Sequence, residues 1–381
     1  MNRSSPLPPE AGHDKGAIFC LSLAFLFLLI DICFVLPRTW PPGRDFPLLW
    51  AASYLADHGQ AAAAYDPARL LAIRKDIIEP FVWYYPPTFL LVVTPLSLLP
   101  FAISQIVWLS VTFSLYLSVL RFIAPHFLIL LLGLAFPGAT VNLIFSHNGY
   151  LIVALLGGGL LLLDRHPWAG GALLGLMSLK PQLALLIPVA LVAGRHWQAL
   201  LGAAAAALGL AVLSAIVLGF EPWLAFSKGL ATHLHLVKTG VIPWRLIPTA
   251  YAAARLAGAG STVAFMVQGL VMLGSLAAVV WVWRRRAPLA IRASVLVLAA
   301  LLFPYYCIIY DLTLLALPLA WLFWEGRVRG WGEGEAILLL FGWIAPLANP
   351  IMGEIKFSIV PLALAGMLIA SLLRYRRCKE A

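Results

Sequence analysis

The sequence predicts an all-α, polytopic membrane protein of roughly twelve transmembrane helices. Of its 381 residues, 62% are hydrophobic and 11% are charged, whereas a soluble domain carries about 25% charged residues. Hydrophobic runs of membrane length recur between Ala17 and Leu373, and no hydrophilic stretch among them is long enough for a separate soluble domain. A water-soluble core cannot hide this much apolar surface, so lipid is the expected solvent.

The distribution of cations predicts how the chain lies in the membrane. The net charge of +10 comes mostly from residues at the ends of hydrophobic runs, where cations set topology, so nucleic acid is not an expected partner. The densest clusters are 284–286, Arg327 with Arg329, and 374–377. Because such clusters stay in the cytoplasm, we expect both termini to be cytoplasmic in a multi-pass protein of the cell (inner or plasma) membrane.

This orientation divides a single integral membrane domain, residues 1–381, into five parts. The first run carries Asp31 and is followed by no clear small-residue cleavage site, so we expect a retained helix and not a signal peptide. The expected parts are a first crossing at 16–37, an extracytoplasmic loop at 38–85, central crossings at 86–219, a second extracytoplasmic loop at 220–260, and C-terminal crossings at 261–373.

The first extracytoplasmic loop carries helix signals of its own. Asp66 stands directly before Pro67, which is the pattern of an N-cap followed by a first helical residue. Apolar and charged residues then mix, which predicts a short amphipathic helix on the membrane surface. Its apolar members are Leu70, Leu71, Ile73, Ile77 and Ile78.

Lys180, inside the apolar stretch 168–193, leaves two arrangements open. The stretch is either one crossing with a lysine at its centre or two short helices that meet at Lys180 near the outer face. A lysine in the middle of a bilayer is costly unless it faces a cavity, which favours two short helices. A snorkelling lysine would normally sit near a helix end, so an anion or a water-filled cavity is the alternative partner.

Other polar residues stand where lipid should have excluded them. Asp45 follows the first crossing and could be a helix cap or a base. His147-Asn148-Gly149 is either a simple turn or part of a polar site between two apolar runs. Asp311, beside Tyr310, could make a helix-packing hydrogen bond or face substrate.

The stretch 221–255 holds His233, His235, Lys238 and Arg245. The two histidines do not share a helix face and no third ligand is evident, so neither a metal site nor a cofactor is expected. A cationic rim near lipid headgroups is the simpler interpretation. On the favoured topology this stretch and the polar residues above lie towards the outer face, an arrangement that suits a lipid-linked anion meeting a hydroxyl acceptor.

Five strings, in this order, carry a family resemblance. They are DFPLLWAASYLADHGQAAAAYD, YYPPTFLLVVTPLSLLP, SHNGY, SLKPQLALLIPVALVAGRHW and FPYYCIIYDLTLLALP. On them the chain resembles glycosyltransferase family 87, the polyprenyl-phosphate-mannose-dependent mannosyltransferases of the GT-C superfamily, from Asp45 to about Pro318. Two departures stand out: His147 replaces a common glutamine, and Tyr310-Asp311 replace a histidine pair found in many relatives.

The resemblance implies a GT-C-like fold and an inverting sugar transfer from a polyprenyl-phosphate donor. Mannose is the first candidate, with arabinose, glucose and galactose as alternatives. The acceptor is a glycolipid, a polysaccharide or another hydroxyl compound. Asp45 corresponds to the family's base position, and with an ordinary pKa of about 3.9 it would be a weak base acting late. The expected substrate-binding residues are Arg44, Tyr85, His147, Asn148, Lys180, His233, His235, Arg245, Tyr310 and Asp311.

Two other classes remain as alternatives. A secondary transporter or lipid flippase fits the number of crossings and the intramembrane Lys180 and Asp31. The lack of a defensible internal repeat and the long first outer loop weigh against it. A non-catalytic subunit of an envelope-polymer assembly is the third possibility. A transferase gathers its polar groups at one face, whereas a transporter gathers them at the midplane.

Overall fold

The computed structural model describes residues 43–77, 83–352 and 356–380, together with Ser22 and 25–27. Within these residues the secondary structure is helical, with no strand, which confirms the all-α prediction. Most of the expected first crossing, 16–37, lies outside the described residues, as does Ile78 of the expected amphipathic helix.

The described chain forms the α-helices named here α1 to α18, with short 3₁₀ segments between some of them. The α-helices are α1 (Phe46–Asp57), α2 (Pro67–Ile73), α3 (Pro87–Val93), α4 (Phe101–Ile123), α5 (Phe127–Leu134), α6 (Pro137–Phe145), α7 (Gly149–Leu162), α8 (Pro167–Gly175), α9 (Pro181–Ala184), α10 (Leu186–Ala193), α11 (Trp197–Leu218), α12 (Glu221–Thr239), α13 (Ala250–Leu256), α14 (Ser261–Arg284), α15 (Leu289–Leu302), α16 (Ala316–Arg329), α17 (Glu335–Met352) and α18 (Val360–Glu380). The 3₁₀ segments are Ala61–Tyr65, Thr94–Leu98, Leu176–Leu179, Trp244–Leu246 and Ile309–Leu315.

Three helices of the described chain, α4, α11 and α14, are long and apolar enough to cross a membrane. They have 22 to 24 residues, or about 33–36 Å, against a hydrocarbon layer of about 30 Å. Helices α5 and α6, bent by 47° at their junction, would together make a fourth span. Several shorter apolar helices accompany them, so a membrane protein is supported while the count of roughly twelve crossings stays a prediction.

Helix α15 lies at the centre of the bundle. Every residue from Ile291 to Leu302 is buried, and apart from Arg292 and Ser294 these residues are apolar, so the helix is stable only when other helices cover it. Helices α10, α14, α16 and α18 pack against it. The helix carries the chain from Pro288 to Phe303 and delivers it to the 3₁₀ segment Ile309–Leu315.

Helices α8 and α11 approach each other through small residues. A Cβ added to Gly171 would lie 2.1 Å from the carbonyl oxygen of Ala199, and one added to Gly175 would lie 2.2 Å from that of Ala203. Glycines one turn apart let two backbones touch, as is common between membrane helices. This contact fixes the helix that leads to Lys180.

The structure confirms the predicted cap at Asp66 and shortens the helix that follows it. The Asp66 carboxylate accepts a hydrogen bond from the backbone N–H of Ala68 at 2.9 Å. Helix α2 ends at Ile73 because Arg74 adopts an extended conformation, with φ −136° and ψ 106°. The amphipathic helix is therefore two turns long, and Ile77 is buried in the turn beyond it.

Two other expectations need adjustment. Within the expected C-terminal crossings, 261–373, the chain is irregular after Pro304, forms a 3₁₀ turn around Asp311 and becomes regular α-helix again only from Ala316. The stretch 220–260, expected to be the second extracytoplasmic loop, is largely helical and contains α12 and α13. The stretch 168–193 is interrupted at Lys180, with φ −137° and ψ 74°, which agrees with two short helices.

Candidate active site

The backbone around Asp45 is attached to the end of α6. The N–H of Asp45 donates to the carbonyl of Phe145 at 3.1 Å, and that of Gly43 donates to Ile144 at 2.8 Å. Gly43 has φ +119°, and a Cβ there would lie 2.2 Å from Nε2 of Gln105. The positive φ favours glycine here, and this bend brings Asp45 beside the turn that carries His147.

Asp45 precedes α1, but its carboxylate does not cap that helix. The residue is 9% exposed, and within the described residues the carboxylate accepts no hydrogen bond. Its Oδ2 atom lies 3.9 Å from Nε2 of His147. The helix-cap interpretation of Asp45 is therefore not supported, and the carboxylate remains available to another group.

Burial makes the carboxyl group of Asp45 a weaker acid than that of an ordinary aspartate. It raises the pKa of the carboxyl from its ordinary value of 3.8 to about 7, although the positive charges of Lys180 and Arg44 act in the opposite direction. An ionised carboxylate is disfavoured away from water, so the protonated form persists to near-neutral pH. Asp45 is thus a stronger base than an ordinary aspartate, which suits general-base work near pH 7.

His147 is held by a strained turn between α6 and α7. Ser146 has φ 50°, a left-handed conformation that residues other than glycine rarely adopt. Its hydroxyl accepts a hydrogen bond from Nε2 of Gln105 at 3.1 Å. The imidazole of His147 stacks on the ring of Tyr310, with centroids 4.2 Å apart and planes within 6°.

Both ring nitrogens of His147 have polar neighbours. Nδ1 lies 2.8 Å from the backbone nitrogen of Asn148 and 3.0 Å from its Oδ1. Nε2 lies 3.1 Å from the hydroxyl of Tyr85. That hydroxyl lies 3.2 Å from the hydroxyl of Tyr310, so Asp45 faces a continuous set of polar groups.

Lys180 and Asp311 form a buried ion pair behind this layer. They are 1% and 2% exposed, and the Lys180 ammonium donates to Oδ1 of Asp311 and, at 3.1 Å, to Oδ1 of Asn148. The other carboxylate oxygen of Asp311 accepts from the N–H of Ile308 at 3.0 Å. The ammonium also lies 4.7 Å from the ring centroid of Tyr310.

The structure thus brings seven of the predicted site residues together with Asp45, and these eight are called the Asp45 cluster below. It consists of Arg44, Asp45, Tyr85, His147, Asn148, Lys180, Tyr310 and Asp311. Arg44 is its exposed member, with its guanidinium 6.0 Å from the Phe145 ring centroid.

The remaining predicted residues lie outside the cluster, His233 and His235 on α12 and Arg245 in the 3₁₀ segment after it. His233 is 7% exposed and packs edge-on against Tyr84 and Tyr306, at 4.6 and 4.2 Å between centroids. Burial lowers the pKa of His233 to about 4, so it is neutral at pH 7 and is no part of a cationic rim. His235 and Arg245 are exposed, outside the buried cluster.

Several residues of the site were not singled out in the sequence. Tyr306 lies within electrostatic range of Asp45 and Asp311. Asn142 is fully buried and accepts a hydrogen bond from the N–H of Gly149 at 2.8 Å. The doubled tyrosines in YYPP and FPYY were a signal for Tyr84 and Tyr306, but nothing in the apolar run around Asn142 distinguished it.

Gly149 allows α7 to approach the 3₁₀ segment, and we expect Gly149→Ala to reduce activity roughly 10–100-fold. A Cβ there would lie 2.5 Å from Oδ1 of Asn142 and 3.0 Å from the carbonyl oxygen of Tyr310. The resulting shift would separate His147 from Tyr310. Reaction rates at matched folded concentration measure the effect.

Gly158→Ala on the same helix is the matched control for Gly149→Ala. Its Cβ would meet methyl groups of Leu173 at 3.3 Å and of Val119 at 4.0 Å, and alanine is the better helix former. Equal activity of the two variants would show that the close approach at Gly149 does not set the site geometry.

The described residues contain no group of three or more His, Cys, Asp or Glu side chains placed to hold a metal ion. Two cationic side chains lie near Asp45, those of Arg44 and Lys180. The arrangement therefore offers a base and positive charge, which are the requirements of a displacement with an anionic leaving group.

Comparison with known proteins gives one family match. The model of glycosyltransferase family 87 matches residues 83–304, more than half of the chain. No curated protein and no solved structure matches. The matched range includes Tyr85, His147, Asn148, Lys180 and the 221–255 stretch, whereas Asp45 and Asp311 fall outside it.

Proposed function

Because this chain belongs to glycosyltransferase family 87 and is a membrane glycosyltransferase, we propose that it moves a sugar from a polyprenyl-phosphate donor to an extracytoplasmic hydroxyl acceptor, with inversion. Mannose is the first candidate sugar. Glycolipids and polysaccharides are the first candidate acceptors. The observation that carries the proposal is the Asp45 carboxylate, buried, without a hydrogen-bond partner in the described residues, and beside a cationic network.

In the proposed reaction Asp45 takes the proton of the acceptor hydroxyl. The acceptor oxygen then attacks the anomeric carbon from the face opposite the leaving group. The bond between that carbon and the bridging phosphate oxygen breaks, and its electron pair leaves with the polyprenyl phosphate. A base with a pKa of about 7 is well matched to this proton transfer near neutral pH.

Two cations are assigned to the leaving phosphate. Arg44 is exposed beside Asp45 and can bind phosphate oxygens through two parallel N–H groups. Lys180 has three ammonium protons, and Asp311 and Asn148 accept only two of them. The third is assigned to the phosphate, while the Asp311 pair holds the ammonium in place.

The acceptor is assigned to the side of the site where α12 packs. His233 is neutral at pH 7 because its pKa is about 4, and within the described residues its Nε2 atom has no hydrogen-bond partner. A buried imidazole of this kind suits a neutral sugar hydroxyl better than a phosphate. The exposed His235 and Arg245 are assigned to the rim, near the lipid carrier.

The proposal places the Asp45 cluster on the extracytoplasmic face. Single cysteines introduced at Arg44 and at Arg285, both exposed, are expected to react with a membrane-impermeant maleimide from opposite sides. Positive clusters in cytoplasmic loops are the physical reason. Labelling of both positions from one side would contradict the topology and leave the transfer chemistry to be tested separately.

The sugar specificity is tested with purified protein and a panel of polyprenyl-phosphate sugars. The panel contains mannose, arabinose, glucose and galactose on one carrier lipid, with a glycolipid acceptor. Transfer from one member at a rate well above the others would identify the donor. Transfer from a nucleotide sugar and from no lipid-linked sugar would overturn the proposed donor class.

We expect the acidic limb of the pH profile to reflect the ionisation of Asp45. Only the ionised carboxylate can accept a proton, so kcat/KM should rise with pH and reach half its plateau near pH 7, the raised pKa of Asp45. An ordinary aspartate would give a limb near pH 4. Measured kcat/KM from pH 5 to 9 checks this, and a flat profile from pH 5 to 7 would contradict it.

A further inference from the structure

A cleft with a volume of about 740 Å³ lies where α10 and α14 end and α11 begins. Its walls combine apolar side chains with the guanidinium groups of Arg195, Arg284 and Arg286. Its lining starts at Pro188, eight residues after Lys180, which is about 12 Å along a helix axis, and it includes no residue of the Asp45 cluster. The cleft is therefore separate from the Asp45 cluster.

Two of the three arginines occupy left-handed backbone, with φ 57° at Arg195 and φ 50° at Arg286. Each of these arginines follows the end of a helix, and the two helix ends close in the same way. The N–H of His196 donates to the carbonyl of Leu191 at 2.8 Å, and the N–H of Ala287 donates to the carbonyl of Val282 at 3.4 Å. Glycine is the usual residue at this position because it has no Cβ to strain the turn.

Ordinary causes account for part of this pattern. Cations are favourable near the carboxyl ends of helices and abundant in cytoplasmic loops. An arginine in the last helical turn, such as Arg284, would interact equally well with the helix end and would serve equally well as a cytoplasmic cation. Neither effect explains why arginine takes the position that favours glycine in both turns beside one cleft.

Within the described part of the chain, no acidic side chain is paired with the three guanidinium groups. All three residues are exposed, and within the described residues none of them forms an ion pair or a side-chain hydrogen bond. The neighbouring Arg292, by contrast, pairs with Asp164. The first turn of α11 also has no side-chain cap, which leaves its N–H groups open to an anion.

We propose that this cleft binds the headgroup of an anionic diacyl phospholipid, with the phosphate held by Arg195, Arg284 and Arg286. Arginine binds phosphate bidentately, and basic pockets between membrane helices suit such headgroups. A lipid fits better than a soluble anion because the walls are apolar and open outward, with Val192 47% and Trp197 54% exposed. The site goes beyond the proposed transfer reaction and does not depend on it.

The test is lipid binding to the full-length protein, measured by native mass spectrometry from detergent with phosphatidylglycerol as the probe. We expect Arg195→Gly/Arg286→Gly to weaken binding about tenfold or more through the loss of charge-assisted contacts. The melting temperature without lipid should be unchanged or higher, since glycine suits both turns. Arg284→Gln, within the helix, should weaken binding as well.

Arg285→Gln is the matched control, because Arg285 stacks on Trp281 at 5.0 Å and does not line the cleft. It should bind phosphatidylglycerol as wild type does. Equal weakening by Arg285→Gln, equal binding of phosphatidylcholine, or wild-type affinity in Arg195→Gly/Arg286→Gly and in Arg284→Gln would each overturn the proposal. Displacement of the lipid by millimolar inorganic phosphate would point to a soluble anion and overturn it too.

Discussion

Asp45→Asn is expected to lower sugar transfer by roughly 10²-fold or more, the usual contribution of a general base. The asparagine keeps the size of the side chain and removes its ability to accept a proton. Because the Asp45 carboxylate caps no helix and accepts no hydrogen bond within the described residues, the fold should not lose a stabilising contact. Removing a buried ionisable group can even stabilise it at neutral pH.

The measurement is transfer of radiolabelled sugar by wild type and Asp45→Asn at matched folded concentration. Donor binding should persist in the variant, since Arg44 and Lys180 are untouched. Asp66→Asn is the matched control in the same segment, because Asp66 caps α2 and asparagine is about as good a cap. Near-wild-type turnover by Asp45→Asn, with its acidic pH limb intact, would remove Asp45 from the reaction.

Local signals in the sequence were enough to predict several features of this fold. The Asp66-Pro67 pair predicted a capped helix, and the structure has both the cap and the helix. Lys180-Pro181 predicted a break, which the structure shows at Lys180. Such features are set by the conformational preferences of one or two residues, so neighbouring sequence is sufficient to identify them.

The pairing of the site residues could not be predicted in the same way. Lys180 and Asp311 are 131 positions apart and lie in contact. The stacking of His147 on Tyr310 depends on the close approach that Gly149 allows. A shared outer face was the most that topology could predict, because contacts between helices depend on packing that periodicity does not encode.

The acidity of Asp45 also had to come from the structure. From sequence alone the residue is an ordinary aspartate and a weak base. Its burial against the end of α6 raises the pKa to about 7, even with Lys180 and Arg44 nearby. Desolvation is a property of the assembled site, and it changes the expected reaction from a late proton transfer to one by a base matched to neutral pH.

Lys180→Met is expected to lower the free energy of unfolding by about 3–5 kcal/mol, the usual effect of leaving one buried charge without its partner. Lys180 forms a buried ion pair with Asp311, so removing the ammonium leaves the Asp311 carboxylate buried without its cation. Lys180→Met/Asp311→Asn should recover much of the loss, since asparagine keeps an oxygen for the N–H of Ile308.

The free energy of unfolding is measured by reversible denaturation in bicelles for the wild type, both single variants and the double variant. Lys228→Met, at an exposed position on α12, is the control and should stay within about 0.5 kcal/mol of wild type. A similarly small change for Lys180→Met would contradict the ion pair. Donor binding by the restabilised double variant then separates the structural role of Lys180, its ion pair with Asp311, from its proposed contact with the donor phosphate. If the ammonium contacts the donor phosphate, binding stays weak although stability returns, whereas a purely structural lysine lets both recover together.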